Sequence, residues 1–293
     1  MVKALLHRTR HALEWRASAQ PFGPAVSTAT IGSAAWESLA GLDPQKALLE
    51  QRVLVPIRER AENLDLVAPG PILLFGPPGV GKTALARAMA GRLGWAFVDI
   101  DLAPVALAAA RLGRFFERLY RLEQAVIFFD EFEYLSLKRE RQPSAIAPLT
   151  AEFLRGLPAL SASRQVLLVC ATNHVRLLDP CLLRPGHFDL VLPIGLPEGS
   201  QRAALLRRLL ANRPCGAIDL EAVVERTDGL TPADLVAVCM RAGQAAFERV
   251  LSRGRESRIE TTDLLAAVAR CRPSLSARQV AAYQEDVAWV AHL

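Results

Sequence analysis

The chain has 293 residues, 51% of them hydrophobic and 22% charged, which is material for one large globular domain or two modest ones. Its apolar stretches, around Val166 to Ala171 and Val105 to Ala110, fall far short of the ~18 residues of a membrane span, so no membrane segment is expected. The 35 basic residues exceed the 30 acidic ones by five but are spread along the chain, so the charge permits nucleic acid without arguing for it.

The five cysteines form no Cys-x-x-Cys pair and the five histidines no His-Glu-x-x-His, which argues against a zinc site and a fused zinc protease. A reducing, cytoplasmic setting is the simplest reading of such cysteines.

Residues 1–35 read as a basic arm and linker. Lys3, Arg8, Arg10 and Arg16 face a single acid, Glu14, before Pro21, Gly23, Pro24 and a Ser/Thr/Ala stretch. A short basic amphipathic helix is expected first, although an Arg-rich, acid-poor start is also the composition of a transit peptide.

Ile72-Leu73-Leu74-Phe75 is a continuous apolar run of the kind that forms a buried strand. It leads into Gly76-Pro77-Pro78-Gly79-Val80-Gly81-Lys82-Thr83, the phosphate-loop pattern, and a helix is expected from Lys82 and Thr83 through Ala84 onward. Glycines let backbone N–H groups face phosphate oxygens, the helix N-terminus favours an anion, Lys82 supplies charge, and the Thr83 hydroxyl suits Mg²⁺. Pro78, Gly79, Val80, Gly81, Lys82, Thr83 and Ala84 are therefore the candidate phosphate cradle.

Ala96 to Ile100 is the next expected strand, and residues 103–122 read as largely helical. Val126-Ile127-Phe128-Phe129 then delivers Asp130-Glu131 at a strand end, a pair suited to metal-assisted phosphate chemistry. Asp130 is the candidate Mg²⁺ ligand with Thr83, and Glu131 the group that polarises the attacking water. Val166-Leu167-Leu168-Val169-Cys170 reads as another buried strand, and its exit through Ala171-Thr172 places Asn173 where parallel sheets bind ligands. After Leu196-Pro197 the pattern turns helical, and Thr231-Pro232-Ala233-Asp234 reads as a capped helix start.

Around these motifs the chain resembles the AAA family ATPases. Trp36-Glu37-Ser38-Leu39-Ala40-Gly41-Leu42, followed by Val53-Leu54-Val55-Pro56 and the phosphate loop, is similar to the family's aromatic-x-Asp-Ile-x-Gly-Leu opening and the helix ending near Pro. The resemblance implies adenine contacts at the Ala40 and Gly41 backbone, with Ser38-Leu39 replacing Asp-Ile. It also makes Asn173 the first sensor, beside the γ-phosphate. Leu178-Asp179-Pro180-Cys181-Leu182-Leu183-Arg184-Pro185-Gly186-His187-Phe188-Asp189-Leu190 resembles the second region of homology, whose two later arginines act on the neighbouring subunit's ATP. Those two positions hold His187 and Leu190, so Arg184 remains as candidate finger, a role worth a factor of about 10³ to 10⁵ in phosphoryl transfer. Asp228 to Leu235 resembles the family's Gly-Phe-Ser-Gly-Ala-Asp-Leu, which puts Pro232 and Ala233 near the base, and Arg272 to Ser276 with Tyr283 resembles its C-terminal helix.

The resemblance covers residues 36 to about 290 and implies a phosphate-loop NTPase of the α/β class. A parallel αβα sandwich over 36–196 would be followed by a small all-α lid over 197–293, with ATP or ADP and Mg²⁺ between them. It implies a homo-oligomeric ring, usually a hexamer, because the finger comes from the next protomer. The expected function is Mg-ATP hydrolysis coupled to remodelling a protein partner. Asp101 to Ala110 lacks the aromatic-apolar-Gly pore loop of threading relatives, and Lys138-Arg139-Glu140-Arg141 is either a second channel loop or a solvated turn. The lone Arg184 and Asp130-Glu131-Phe132-Glu133 resemble the small ATPases that remodel HORMA-domain proteins, bacterial antiviral ones included. Two other readings stand beside it: a nucleic-acid-linked loader or transposition regulator, and a nucleotide-sensing scaffold suggested by His187 and Leu190.

Overall fold

A computed structural model describes residues 26–59, 70–101, 122–135, 165–184, 186–253 and 258–292, with positions 119, 151, 153 and 155–157. The basic arm to residue 25, the helix expected over 103–122 apart from positions 119 and 122, and the 102–110 and 138–141 loops lie outside the described residues.

Among the described residues six strands form one sheet: β1 (Val26–Thr30), β2 (Ile72–Phe75), β3 (Ala96–Ile100), β4 (Ala125–Phe129), β5 (Val166–Thr172) and β6 (Leu190–Pro193). Their spatial order is β1-β3-β4-β5-β2-β6, parallel throughout except for β1. Every residue of β2, β4 and β5 is buried, as the unbroken apolar runs require of strands covered on both faces. Alternate side chains feed two cores. Leu73, Phe75, Ile127, Phe129, Leu168 and Cys170 face one, and Ile72, Leu74, Val126, Phe128, Leu167 and Val169 the other. Truncating one such side chain costs about 2–5 kcal/mol, so this double core sets the register of everything at the strand ends.

Val26–Thr30 corrects the linker reading of residues 1–35: it pairs antiparallel with β3, Val26 opposite Ile100 and Thr30 opposite Ala96. Short helices α1 (Ala34–Ser38), α2 (Asp43–Leu49) and α3 (Val55–Arg58) follow, the last two joined by a π-helical stretch, Glu50–Leu54. The helix continues past Pro56 to Arg58, with Pro56 just after the π-helical stretch.

Helix α4 (Lys82–Leu93) packs Leu85, Ala86 and Met89 into the second core. Beyond β6 come α5 (Gly199–Leu210), α6 (Leu220–Glu225), α7 (Pro232–Arg253) and α8 (Thr261–Ala269), which enclose a separate core around Leu206, Val223, Leu235, Val238 and Leu264. Helix α9 (Ala277–Val290) departs from the expected lid. Its Tyr283, Val287, Trp289 and Val290 pack on the sheet's first core, the Tyr283 ring 6.3 Å from Phe75. Among the described residues no helix is long and apolar enough to cross a membrane.

Candidate nucleotide site

Because β2, β5 and β4 are parallel neighbours, Gly76, Asn173 and Asp130 leave the same edge of the sheet. The loop from Gly76 is built on close approach. Gly76 has φ +150°, and a Cβ there would stand 1.9 Å from the Ile194 carbonyl oxygen, so only glycine lets the loop begin against β6. Val80 is fully buried and pins the loop from beneath.

Lys82 opens α4 with 7% of its surface exposed. Its Nζ donates to the Gly76 and Pro77 carbonyls at 2.7 and 2.9 Å and to Asn173 Oδ1 at 2.7 Å. Burial pulls its pKa down to about 8, against the upward pull of the Asp130 and Glu133 carboxylates. Thr83 Oγ1 donates to Asp130 Oδ2 at 3.2 Å, while the Glu131 N–H donates to Asp130 Oδ1 at 2.9 Å. Glu131 itself has φ +50°, a left-handed conformation uncommon for a non-glycine residue, with its side chain exposed. Pro78, Gly79, Gly81, Lys82, Thr83, Ala84, Asp130, Glu131 and Asn173 together line a cavity of about 360 Å³.

The remaining candidates lie around this cavity rather than in its lining. A Cβ on Gly41 (φ +81°) would meet Leu205 Cδ1 at 2.8 Å, so Ala40-Gly41 runs against α5. The Ala233 N–H, one residue after Pro232, donates to the Gly79 carbonyl at 3.4 Å and brings the start of α7 to the loop. Arg184 is exposed at the end of a 3₁₀ turn (Pro180–Leu183), with no side-chain partner among the described residues. Leu190 opens β6 opposite Ile72 and packs toward the second core, so that strand position is apolar. His187 Nδ1 is buried with no hydrogen-bond partner among the described residues.

Motif reading passed over four contacts. Glu133 Oε2 accepts from Thr172 Oγ1 at 2.6 Å, and Thr172 Oγ1 accepts from the His174 N–H at 3.0 Å. Arg176, three residues beyond Asn173, pairs with Asp286 and Glu285 of α9 at 2.7 and 3.3 Å. Glu133 alone had a sequence signal, an acid three positions after Asp130.

A buried strand, a glycine-rich loop and a helix N-terminus, with lysine, hydroxyl, acidic pair and asparagine converging beside a helical lid, define a phosphate-loop nucleoside triphosphatase. Residues 72–196 match the model of the ATPase family associated with various cellular activities (AAA), and residues 217–266 that of the AAA+ lid domain. The chain belongs to the AAA family and is an ATPase of that family.

It is 32% identical over 225 residues to the Cell division cycle protein 48 homolog of Archaeoglobus fulgidus, a match covering 74% of this chain and 31% of that protein. It is 29% identical over 244 residues to the Proteasome-activating nucleotidase of Thermococcus onnurineus, covering 80% of this chain and 60% of that one. The chain thus spans about a third of the first of these relatives. Among solved structures, the FIGL-1 AAA domain in complex with ADP superposes with a TM-score of 0.73 at 25% identity, covering 92% of this chain and 94% of that one.

Proposed function

We propose that this chain binds and hydrolyses Mg-ATP within a homo-oligomeric ring, a hexamer, and uses the cycle to remodel a protein partner. The observation that carries the reading is the convergence of Lys82, Thr83, Asp130, Glu131 and Asn173 on one cavity. Lys82 carries charge to the β and γ phosphates, and Glu131, turned outward by its backbone, polarises the attacking water. Asn173 orients that water and the γ-phosphate from the far side of Lys82. Ala40, Gly41, Pro232 and Ala233 flank the base.

The oxygen pair Thr83 Oγ1 and Asp130 Oδ2, already 3.2 Å apart, fits Mg²⁺, which prefers oxygen ligands and few protein groups. When bound, Mg²⁺ supplies charge neutralisation between the phosphates. Arg184, exposed and outside its own chain's cavity, reaches the next subunit's site.

Support for work on a protein comes from the relatives, one of which is named a proteasome-activating nucleotidase. The finer candidate is a HORMA-domain protein, tested by ATP-dependent release of a closed HORMA partner; no release removes that candidate. Turnover per subunit should rise with protein concentration and then level off. Glu131→Gln should lower turnover by about 10² to 10⁴ and Arg184→Ala by about 10³, both with ADP affinity retained. Turnover that is constant across assembly overturns the ring.

Leu190 favours one second reading, a nucleotide-sensing scaffold with weak hydrolysis, because packing toward the core occupies a position where the family places a finger. Tight ATP binding with negligible turnover in the assembled ring selects it.

A further inference from the structure

We propose that Glu133 is a positioning residue for Asn173, acting through the Thr172 hydroxyl and the His174 amide. The proposal rests on the ATPase reading above, in which Asn173 places the attacking water.

Asn173 stands one residue beyond the end of β5, where the ladder of the sheet no longer holds the backbone. The two residues beside it do that work. On one side the Thr172 carbonyl accepts from the Gly76 N–H at 3.2 Å, tying the asparagine to the first residue of the phosphate loop. On the other side the His174 N–H donates to Thr172 Oγ1 at 3.0 Å. A hydroxyl has a single proton, and Thr172, fully buried, gives it to Glu133 Oε2 at 2.6 Å, a short charge-assisted bond. With that proton committed, the oxygen's lone pairs face the His174 N–H. Without the carboxylate, the hydroxyl turns to another partner and the turn carrying Asn173 is freed.

Glu133 is itself held rigidly. It lies in a single 3₁₀ turn, Phe132–Leu135, that follows the acidic pair at once. Phe132 is fully buried, its ring 4.8 Å from Phe153 and 5.6 Å from Phe188, and the Tyr134 N–H donates to the Glu131 carbonyl at 3.0 Å. The residue that polarises water and the one that orients it are therefore joined through one carboxylate that does not line the cavity.

Glu133 has a second possible use, since its negative charge also faces Lys82. Glutamine separates the two, because it accepts the same hydrogen bond and carries no charge. The test compares Glu133→Ala, Glu133→Gln and Thr172→Val in the full chain. It reads amide hydrogen exchange at His174 against Leu74 in β2, ATP kcat and KM, and ADP Kd. Glu133→Ala and Thr172→Val should speed exchange at His174 by about tenfold, with Leu74 unchanged. They should lower kcat by about ten- to a hundredfold, with ADP Kd within about threefold of wild type. Glu133→Gln should match wild type within about threefold in all readouts.

Glu133→Gln falling as far as Glu133→Ala overturns the proposal in favour of charge on Lys82. Unchanged His174 exchange overturns it as well, and so does a rise of ADP Kd in step with the loss of kcat. Where Glu133→Ala does not fold, Thr172→Val carries the same comparison. A wild-type chain with no turnover sinks the ATPase reading, while the exchange measurement still decides the positioning.

Discussion

The last turns of β2, β4 and β5 leave the sheet with every strand residue buried, whereas the lid's longest helix, α7, keeps Met240, Phe247 and Leu251 exposed and is anchored by polar groups at its start. Asp234 Oδ2 accepts from both the N–H and the Oγ1 of Thr231 at 2.9 Å, and the Asp234 N–H returns the bond to Thr231 Oγ1 at 3.1 Å. Ser274 adds two more donors to the same carboxylate. Arg249 clasps Asp263 across α7 and α8. Groups that must hold still relative to one another thus end buried strands, fixed by several kcal/mol of packing each. The start of the lid's longest helix is held instead by hydrogen bonds worth about 1 kcal/mol apiece.

The contrast can be broken most sharply at Gly76. Gly76→Ala drives a Cβ into the Ile194 carbonyl and should cost about 3 kcal/mol or more in chemical denaturation, with ATP binding lost. Wild-type stability in that variant would mean the loop yields as readily as the lid. Asp234→Ala should cost about 1–3 kcal/mol and give calorimetric melting in two steps, lid before sheet; a single transition would deny the lid its independence. Burial alone would raise the Asp234 pKa, but the Ser274 and Thr231 hydrogen bonds hold it below the usual carboxylate value. The stability it contributes is therefore present above pH ~3.8 and lost as the pH falls through its lower folded value.

The smallest effect belongs to Lys82, whose pKa is pulled down to about 8 by burial. The charge that attracts phosphate is present below that value and lost above it, so ATP should bind about tenfold more weakly at pH 9 than at pH 7 by titration calorimetry. Stability moves the other way. An unfolded lysine holds its proton to about pH 10.4, so the folded state gains as pH rises from about 8 toward that value. Affinity and stability changing together would rule out Lys82 as the source.

How much of this was legible differs by region. Strand, loop and helix at 72–93, the acid pair after β4 and Asn173 after β5 follow from continuous apolar runs ending in polar residues, a local pattern. Strand β1 escapes such reading because Ser27, Thr28, Ala29 and Thr30 are ordinary linker residues, and only pairing with β3, about seventy positions away, makes them a strand. The placement of α9 escapes it too, since an amphipathic helix does not say which of two cores its apolar face covers. Glu133 and Thr172 are 39 positions apart, and nothing short of the β4–β5 pairing brings them together.

The contact between the Ala233 N–H and the Gly79 carbonyl has a mechanical meaning. The first amides of a helix lack partners within it, and α7 borrows one from the phosphate loop. Swinging the lid away leaves that amide to water at a cost of about 1 kcal/mol, close to twice thermal energy. Taken alone, that bond is a shallow catch between loop and lid, far weaker than the strand packing that holds the rest of the site.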